Sequence, residues 1–172
     1  MTVVVNLLLF QAGWFVCVLS AAGGRPWIGA IAVACIVAWH LARAARPLPE
    51  LALIGAAVAA GTLFETLLLQ SGWVRFETGV LIDGTAPYWM IALWANFATT
   101  LNVSLRALRS YPWLAAALGA VGAPAAYFAG AKLGAMEFTA VALALTAIGV
   151  GWALLSPALF GAARRLDGYA PS

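Results

Sequence analysis

Charge, histidine and cysteine are all scarce in this sequence, and each scarcity excludes something. Only 9% of the 172 residues are charged, against roughly 25% in a soluble domain. With 65% hydrophobic residues and a mean hydropathy of +0.97, a water-soluble fold could not hide the apolar surface. The remaining solvent is a bilayer. The net charge of +3 comes from dispersed arginines, which form no basic stripe and exclude nucleic acid as a partner. A lone histidine, His40, excludes histidine-cluster di-iron chemistry, since such a centre needs several ligands. It reads as an interfacial histidine without nearby acids, so no metal and no cofactor are expected. Cys17 and Cys35 both fall in apolar stretches and read as buried thiols, not as a disulfide framework. GxSxG, Walker A and HExxH patterns are absent, and with them the chemistries those patterns carry.

What is present is a series of long apolar runs divided by Gly, Pro and charge. They predict an all-α, single-domain integral membrane bundle over residues 1–172, with six spans at about 2–22, 27–43, 48–70, 87–108, 112–131 and 137–160. Each is near the roughly 20 residues needed to cross a hydrocarbon core. Lipid cannot satisfy backbone polar groups, so the spans must be helices, and continuous apolar runs exclude a β-barrel. The first run lacks a basic leader and reads as a span, not as a signal peptide. Arg43, Arg46, Arg106, Arg109, Arg164 and Arg165 fall on one side, with only Arg25, Arg75 and Lys132 on the other. This asymmetry predicts cytoplasmic termini in a bacterial inner membrane.

Residues 71–86, SGWVRFETGVLIDGTA, form a longer outer connection mixing Trp73, Phe76 and Leu81 with Arg75, Glu77 and Asp83. It reads as an amphipathic interfacial segment or as a flap over a cavity. Arg25-Pro26-Trp27 and Tyr111-Pro112-Trp113 follow spans one and four; these Pro-Trp pairs are the only trace of an inverted repeat.

The fourth span carries NFATTLNVSLR. On a helix, Asn96, Thr99, Thr100 and Val103 fall within about 100° of one another, with Asn102 on a flank. Trp94, Phe97, Leu101, Leu105 and Leu108 make the opposite face, which reads as the lipid side. Span three contributes Glu65, five residues from its outer end and so roughly 7–8 Å below the boundary. Span one contributes Asn6 and Gln11, with Gln11 at the depth of Asn96. These groups suggest a polar pocket in the outer half of the bundle. An intramembrane acid is a functional hypothesis by default, which makes Glu65 the catalytic, proton-exchanging or substrate-orienting candidate. Gln11, Asn96, Thr99, Thr100 and Asn102 are the ligand-binding candidates. The competing reading makes the amides and hydroxyls interhelical glue.

Asn6…Phe10-Gln11-x-x-Trp14-Phe15, Glu65, Ala86-Pro87-Tyr88-Trp89…Leu93-Trp94 and Phe97-Ala98-Thr99-Thr100-Leu101-Asn102 resemble a family of small bacterial inner-membrane proteins, domain of unknown function 2878. In that family Asn102 is often followed by His and Ser; Val103 stands here, which weakens imidazole chemistry at that point. Family members tend to be encoded near cyclopropane-fatty-acid-synthase-like methyltransferases and other lipid-modifying proteins. The resemblance therefore implies membrane lipids, and lipid-modifying enzymes, as partners.

Three functional readings follow. The first is a protein that binds or helps to modify a lipid or fatty acyl molecule; the residues specify no reaction. A second is a transport component, either a substrate-binding subunit or a proton-coupled carrier. In that case the small residues Gly55-Ala56-Ala57-x-Ala59-Ala60-Gly61 would form a seam within the chain or with another membrane subunit. The third is a scaffold for lipid-modifying enzymes, in which Glu65→Gln would be silent.

Overall fold

The computed structural model describes residues 2–169. Six α-helices follow one another: α1 (Val3–Ala22), α2 (Pro26–Arg43), α3 (Pro47–Gln70), α4 (Tyr88–Leu101), α5 (Pro112–Lys132) and α6 (Val141–Arg165). All but α4 are long and apolar enough to cross a membrane, and the protein is membrane-embedded. Pro26, Pro47 and Pro112 open their helices, where a missing N–H costs nothing and the fixed φ is already helical. Gly24 at φ +70° and Gly134 at φ +87° follow α1 and α5, in the left-handed conformation that ends helices.

Two ends can be distinguished by their bonds. At one end the start of α1 and the ends of α4 and α6 meet, through Asn6 Nδ2 to the Thr99 carbonyl at 3.1 Å and Asn102 Nδ2 to the Leu166 carbonyl at 2.9 Å. This is the arginine-bearing end. At the other, the 71–86 connection folds over the bundle. Its strand β1 (Val74–Arg75) pairs antiparallel with β2 (Glu137–Phe138). Thr78 Oγ1 donates to the Ala21 carbonyl at 3.1 Å, and Phe76 lies edge-on to Trp89 at 5.8 Å. The connection is thus a folded cover with Val74 and Phe76 buried, while Leu81 and Ile82 remain exposed at its tip.

Several sequence expectations are corrected. The fourth helix does not run over 87–108: it stops at Leu101 and gives way to a 3-10 helix, Arg106–Ser110. Its 14 residues reach only about 21 Å. No Gly or Pro breaks it. Asn102 is drawn sideways to the α6 end, and Asn6 Oδ1 accepts from the Ser104 N–H at 3.2 Å, so tertiary contacts replace the next helical turn. Nor does α4 turn an apolar face to lipid, since Trp94 and Leu101 are buried. It packs against α1, α2 and α3, and Phe97, on the same side, is half-buried. The sixth helix is offset from the expected 137–160, because residues 137–138 are taken by β2.

Of the expected small-residue seam only Ala57 and Gly61 are buried within the chain, while Gly55, Ala56 and Ala59 are exposed. A Cβ at Gly61 would strike the Trp94 ring, and one at Gly151 would strike Phe64. These two glycines are what let α3, α4 and α6 close around their aromatics. Cys17 is buried as expected, but Cys35 is exposed on the outside of α2.

Candidate functional site

The buried stripe of α3 runs Glu50, Leu53, Ile54, Ala57, Gly61, Glu65 and Leu68, the i, i+3/i+4 pattern of one helical face. It carries an acid near each end, and both acids are fully buried.

Glu65 Oε1 accepts from Trp94 Nε1 at 3.0 Å and from the Tyr127 hydroxyl. Glu65 Oε2 has no partner. Trp94 stacks on Trp152, with centroids 4.5 Å apart and planes at 22°, and Phe97 meets Trp152 edge-on at 5.1 Å. Trp152 Nε1 faces the Tyr127 oxygen without a bond of normal geometry, so this donor too is unpartnered. Buried polar groups are nearly always paired. Here a carboxyl oxygen and an indole N–H, both sealed from solvent, lack a partner of normal geometry in one aromatic cluster.

Tyr127, Trp94 and Trp152 also line a cleft of about 290 Å³ between α1 and α4 on one side and α5 and α6 on the other. Its walls are of opposite kinds. From α5 come Ala115, Gly119, Gly122, Ala123, Ala126 and Gly130, a strip of small residues flanked by Leu118 and Tyr127. From α1 and α4 come Phe10, Trp14, Trp89 and Phe97. A Cβ at Gly122 or Gly130 would meet nothing within 4 Å, so the slot exists because these positions are glycine. Between Ala115 and Gly130 the cleft follows α5 for about 22 Å. Helices α1 and α5 do not pack together, which leaves this seam open to the side.

The arginine-bearing end holds a different arrangement. His40 Nε2 and Glu50 Oε2 are 2.8 Å apart, both buried. Glu50 Oε1 accepts from Asn102 Nδ2 at 2.5 Å and from the Gly168 N–H at 2.9 Å. Arg106 and Arg109 reach Asp167 Oδ2 at 2.7 and 2.9 Å, and Arg109 also donates to Asn102 Oδ1 at 2.7 Å. The Tyr169 hydroxyl donates to the His40 carbonyl at 2.6 Å. Burial works to raise the Asp167 carboxyl, but the Arg109 hydrogen bond, the Tyr169 N–H and both arginine charges outweigh it and hold it below its ordinary value. Burial, with the Glu50 charge, pushes the Tyr169 phenol up to about 12, so it stays a neutral donor. No side-chain polar atom of His40, Glu50, Asn102 or Asp167 is left open.

The expected site residues are dispersed among these regions. Glu65 lies in the aromatic cluster towards the end covered by the 71–86 connection, away from the arginine-bearing end. Gln11 is exposed on α1 and does not meet Asn96; Asn96 Nδ2 instead donates to the Phe10 carbonyl at 2.9 Å. Thr99 and Thr100 donate to the carbonyls of Asn96 and Phe97 at 2.7 and 2.6 Å, the back-bonding typical of helical hydroxyls. Asn102 belongs to the Glu50 network. None of these five lines the cleft, and neither does Glu65. His40 is not an isolated interfacial residue: its acid stands just across the 44–46 turn, in the first turn of α3. Sequence reasoning missed Tyr127 and Trp152. The signal was the Ala/Gly face of α5, which marks where a bundle leaves room.

A family model described as "Protein of unknown function (DUF2878)" matches residues 3–158. The chain belongs to this family. The DUF2878 match takes in the whole cleft cluster, Glu65, Trp94, Tyr127 and Trp152, together with His40, Glu50 and Asn102. Asp167 and Tyr169, which complete the second network, lie beyond it. No curated protein and no solved structure matches the chain.

Proposed function

We propose that this protein binds a long-chain lipid or fatty acyl molecule from within the bacterial inner membrane, with its arginine-bearing end in the cytoplasm. The chain of the ligand lies along the Ala/Gly strip of α5, and its polar end lies at Tyr127 and Trp94, the two lining residues that bond to Glu65. The observation that carries this reading is the side-open apolar cleft, two of whose lining residues, Trp94 and Tyr127, donate to the buried Glu65 carboxyl behind them. Ligand sites are typically apolar with a few convergent polar groups. A buried acid inside a membrane is costly unless it serves a purpose. Glu65 orients the ligand's polar group or exchanges a proton with it. The arginine asymmetry supports the orientation. A pure scaffold would need no such cavity.

The test is native mass spectrometry of the protein in mild detergent, wild type beside Glu65→Gln. A co-purifying amphiphile on the wild type, reduced at least several-fold in the variant, supports the reading. An empty wild type, or a partner chain retained regardless of Glu65, refutes it in favour of a subunit or scaffold role.

A further inference from the structure

We infer that the hydrocarbon chain held in the cleft carries a neutral oxygen substituent along its length, away from its polar end, and that the Ser156 hydroxyl bonds to it. The inference rests on the cleft-binding reading above and names the class of chain the cleft takes.

The buried residues lining the cleft differ in what their polar atoms do. Trp89 Nε1 donates to the Thr78 carbonyl at 3.0 Å, and Trp94 Nε1 and the Tyr127 hydroxyl donate to Glu65. Ser156 lines the cleft from α6 and is 2% exposed. Its hydroxyl makes no hydrogen bond among the described residues and is not one of the sealed atoms, so the opening it keeps is onto the cleft.

Helical hydroxyls elsewhere in the chain are satisfied locally. Ser20, Thr62, Thr99 and Thr100 donate to the carbonyls of Cys17, Val58, Asn96 and Phe97 at 3.1, 2.8, 2.7 and 2.6 Å, as serine and threonine commonly do in apolar helices. A serine that merely joined α6 to α5 would donate across the seam, and Ser156 does not. A Cβ at Gly119 would overlap Ser156 Oγ, so the hydroxyl keeps its place only because residue 119 has no side chain.

The surroundings set the chemistry of its partner. No residue lining the cleft is charged, so an ionised group would enter without a counter-charge, at high cost. A serine hydroxyl donates one hydrogen bond, which a hydroxyl, oxo or ether oxygen on the chain can accept. Such an oxygen is penalised in plain hydrocarbon and relieved of that penalty at Ser156. Gly119 and Tyr127 are eight residues apart on α5, about 12 Å along the helix. With the polar end at Tyr127 and Trp94, the oxygen therefore falls in the body of the chain, towards the arginine-bearing end.

The test is native mass spectrometry of the purified full chain in mild detergent, titrated with long-chain primary alcohols of equal length. One is plain, one has a second hydroxyl in mid-chain, one has an oxo group there, and one has the second hydroxyl at the methyl end. Wild type is compared with Ser156→Ala and with Gly122→Leu, which fills the slot. The two probes oxygenated in mid-chain should bind wild type about five-fold more tightly than the other two, the gain from one hydrogen bond. In Ser156→Ala that preference should disappear, while the plain alcohol binds as it does to wild type. None of the four should bind Gly122→Leu.

Equal binding of all four to wild type, with none to Gly122→Leu, overturns the oxygenated-chain inference and leaves the cleft reading standing; this comparison does not depend on Ser156→Ala being folded. A mid-chain preference that survives in Ser156→Ala also overturns it. Binding to Gly122→Leu at wild-type strength, or no binding of any probe to wild type, overturns the cleft reading itself.

Discussion

Glu50 and Glu65 lie fifteen residues apart on one face of α3 and are equally buried, yet their surroundings differ in kind. Both oxygens of Glu50 are bonded, to His40, Asn102 and Gly168. Glu65 is bonded on one oxygen only, inside a cluster that also leaves Trp152 Nε1 open. Glu50 ties α2, α3, α4 and the segment after α6 into one knot. Glu65 stands behind Trp94 and Tyr127, which line a cleft. Burial of an acid in a membrane therefore does not distinguish structure from function. Here the two acids differ in how completely they are hydrogen-bonded.

The comparison breaks most readily at Glu50. Glu50→Ala strands His40 Nε2 and the Gly168 N–H at once and removes one of the two acceptors of the Asn102 amide. Breaking a buried, hydrogen-bonded pair costs about 3–5 kcal/mol, so the variant should be recovered poorly folded, as judged by size-exclusion profile and thermal unfolding in detergent. Next in size, Gly119→Leu should destabilise by about 1–3 kcal/mol through overpacking, because a Cβ at Gly119 already reaches the Trp152 carbonyl at 2.6 Å. Gly122→Leu, one turn away on the open slot, should melt at or above the wild-type temperature, since leucine is the better helix former. Thermal melts of the pair would show whether the slot is real space.

Asp167→Asn should cost about 1–2 kcal/mol, the range for hydrogen bonds to charged groups at a partly exposed site. Its pH dependence has a definite sign. The folded carboxyl sits below its ordinary 3.8, so the unfolded chain takes up the proton first. The stabilisation is complete above that value and is lost as pH falls through the lowered folded one. Wild type should therefore lose stability on acidification below about pH 4, whereas Asp167→Asn should lack that component. Smallest of all, Glu65→Gln should change stability by no more than about 1 kcal/mol, since the amide oxygen can still accept from Trp94 and Tyr127. Its effect should appear instead in bound ligand.

The spans themselves were legible because apolar length and proline-led starts are local signals, and α1, α2, α3 and α5 match their expected bounds to within a residue. The end of α4 was not. Nothing in NVSLRAL stops a helix; Asn6, Glu50 and Leu166 do, and they come from three other elements. The helical wheel correctly grouped Asn96, Thr99 and Thr100 but assigned the opposite face to lipid. A wheel gives an asymmetry without saying how many neighbours surround the helix. Glu65 stood out by depth alone. Gln11 misled because depth matched while the rotation of α1, unknowable from one helix, turned it outward. Tyr127 and Trp152 have no polar neighbours in sequence, so only the packing of α5 and α6 could bring them to Glu65.

The central claim is that the Glu65 end holds a ligand in the slot along α5. The most direct measurement is the native mass spectrum of Gly122→Leu beside wild type under identical mild-detergent conditions. The account predicts an amphiphile bound to wild type and absent from the variant, with the variant fully folded. The same adduct on both proteins, in equal amount, would contradict it.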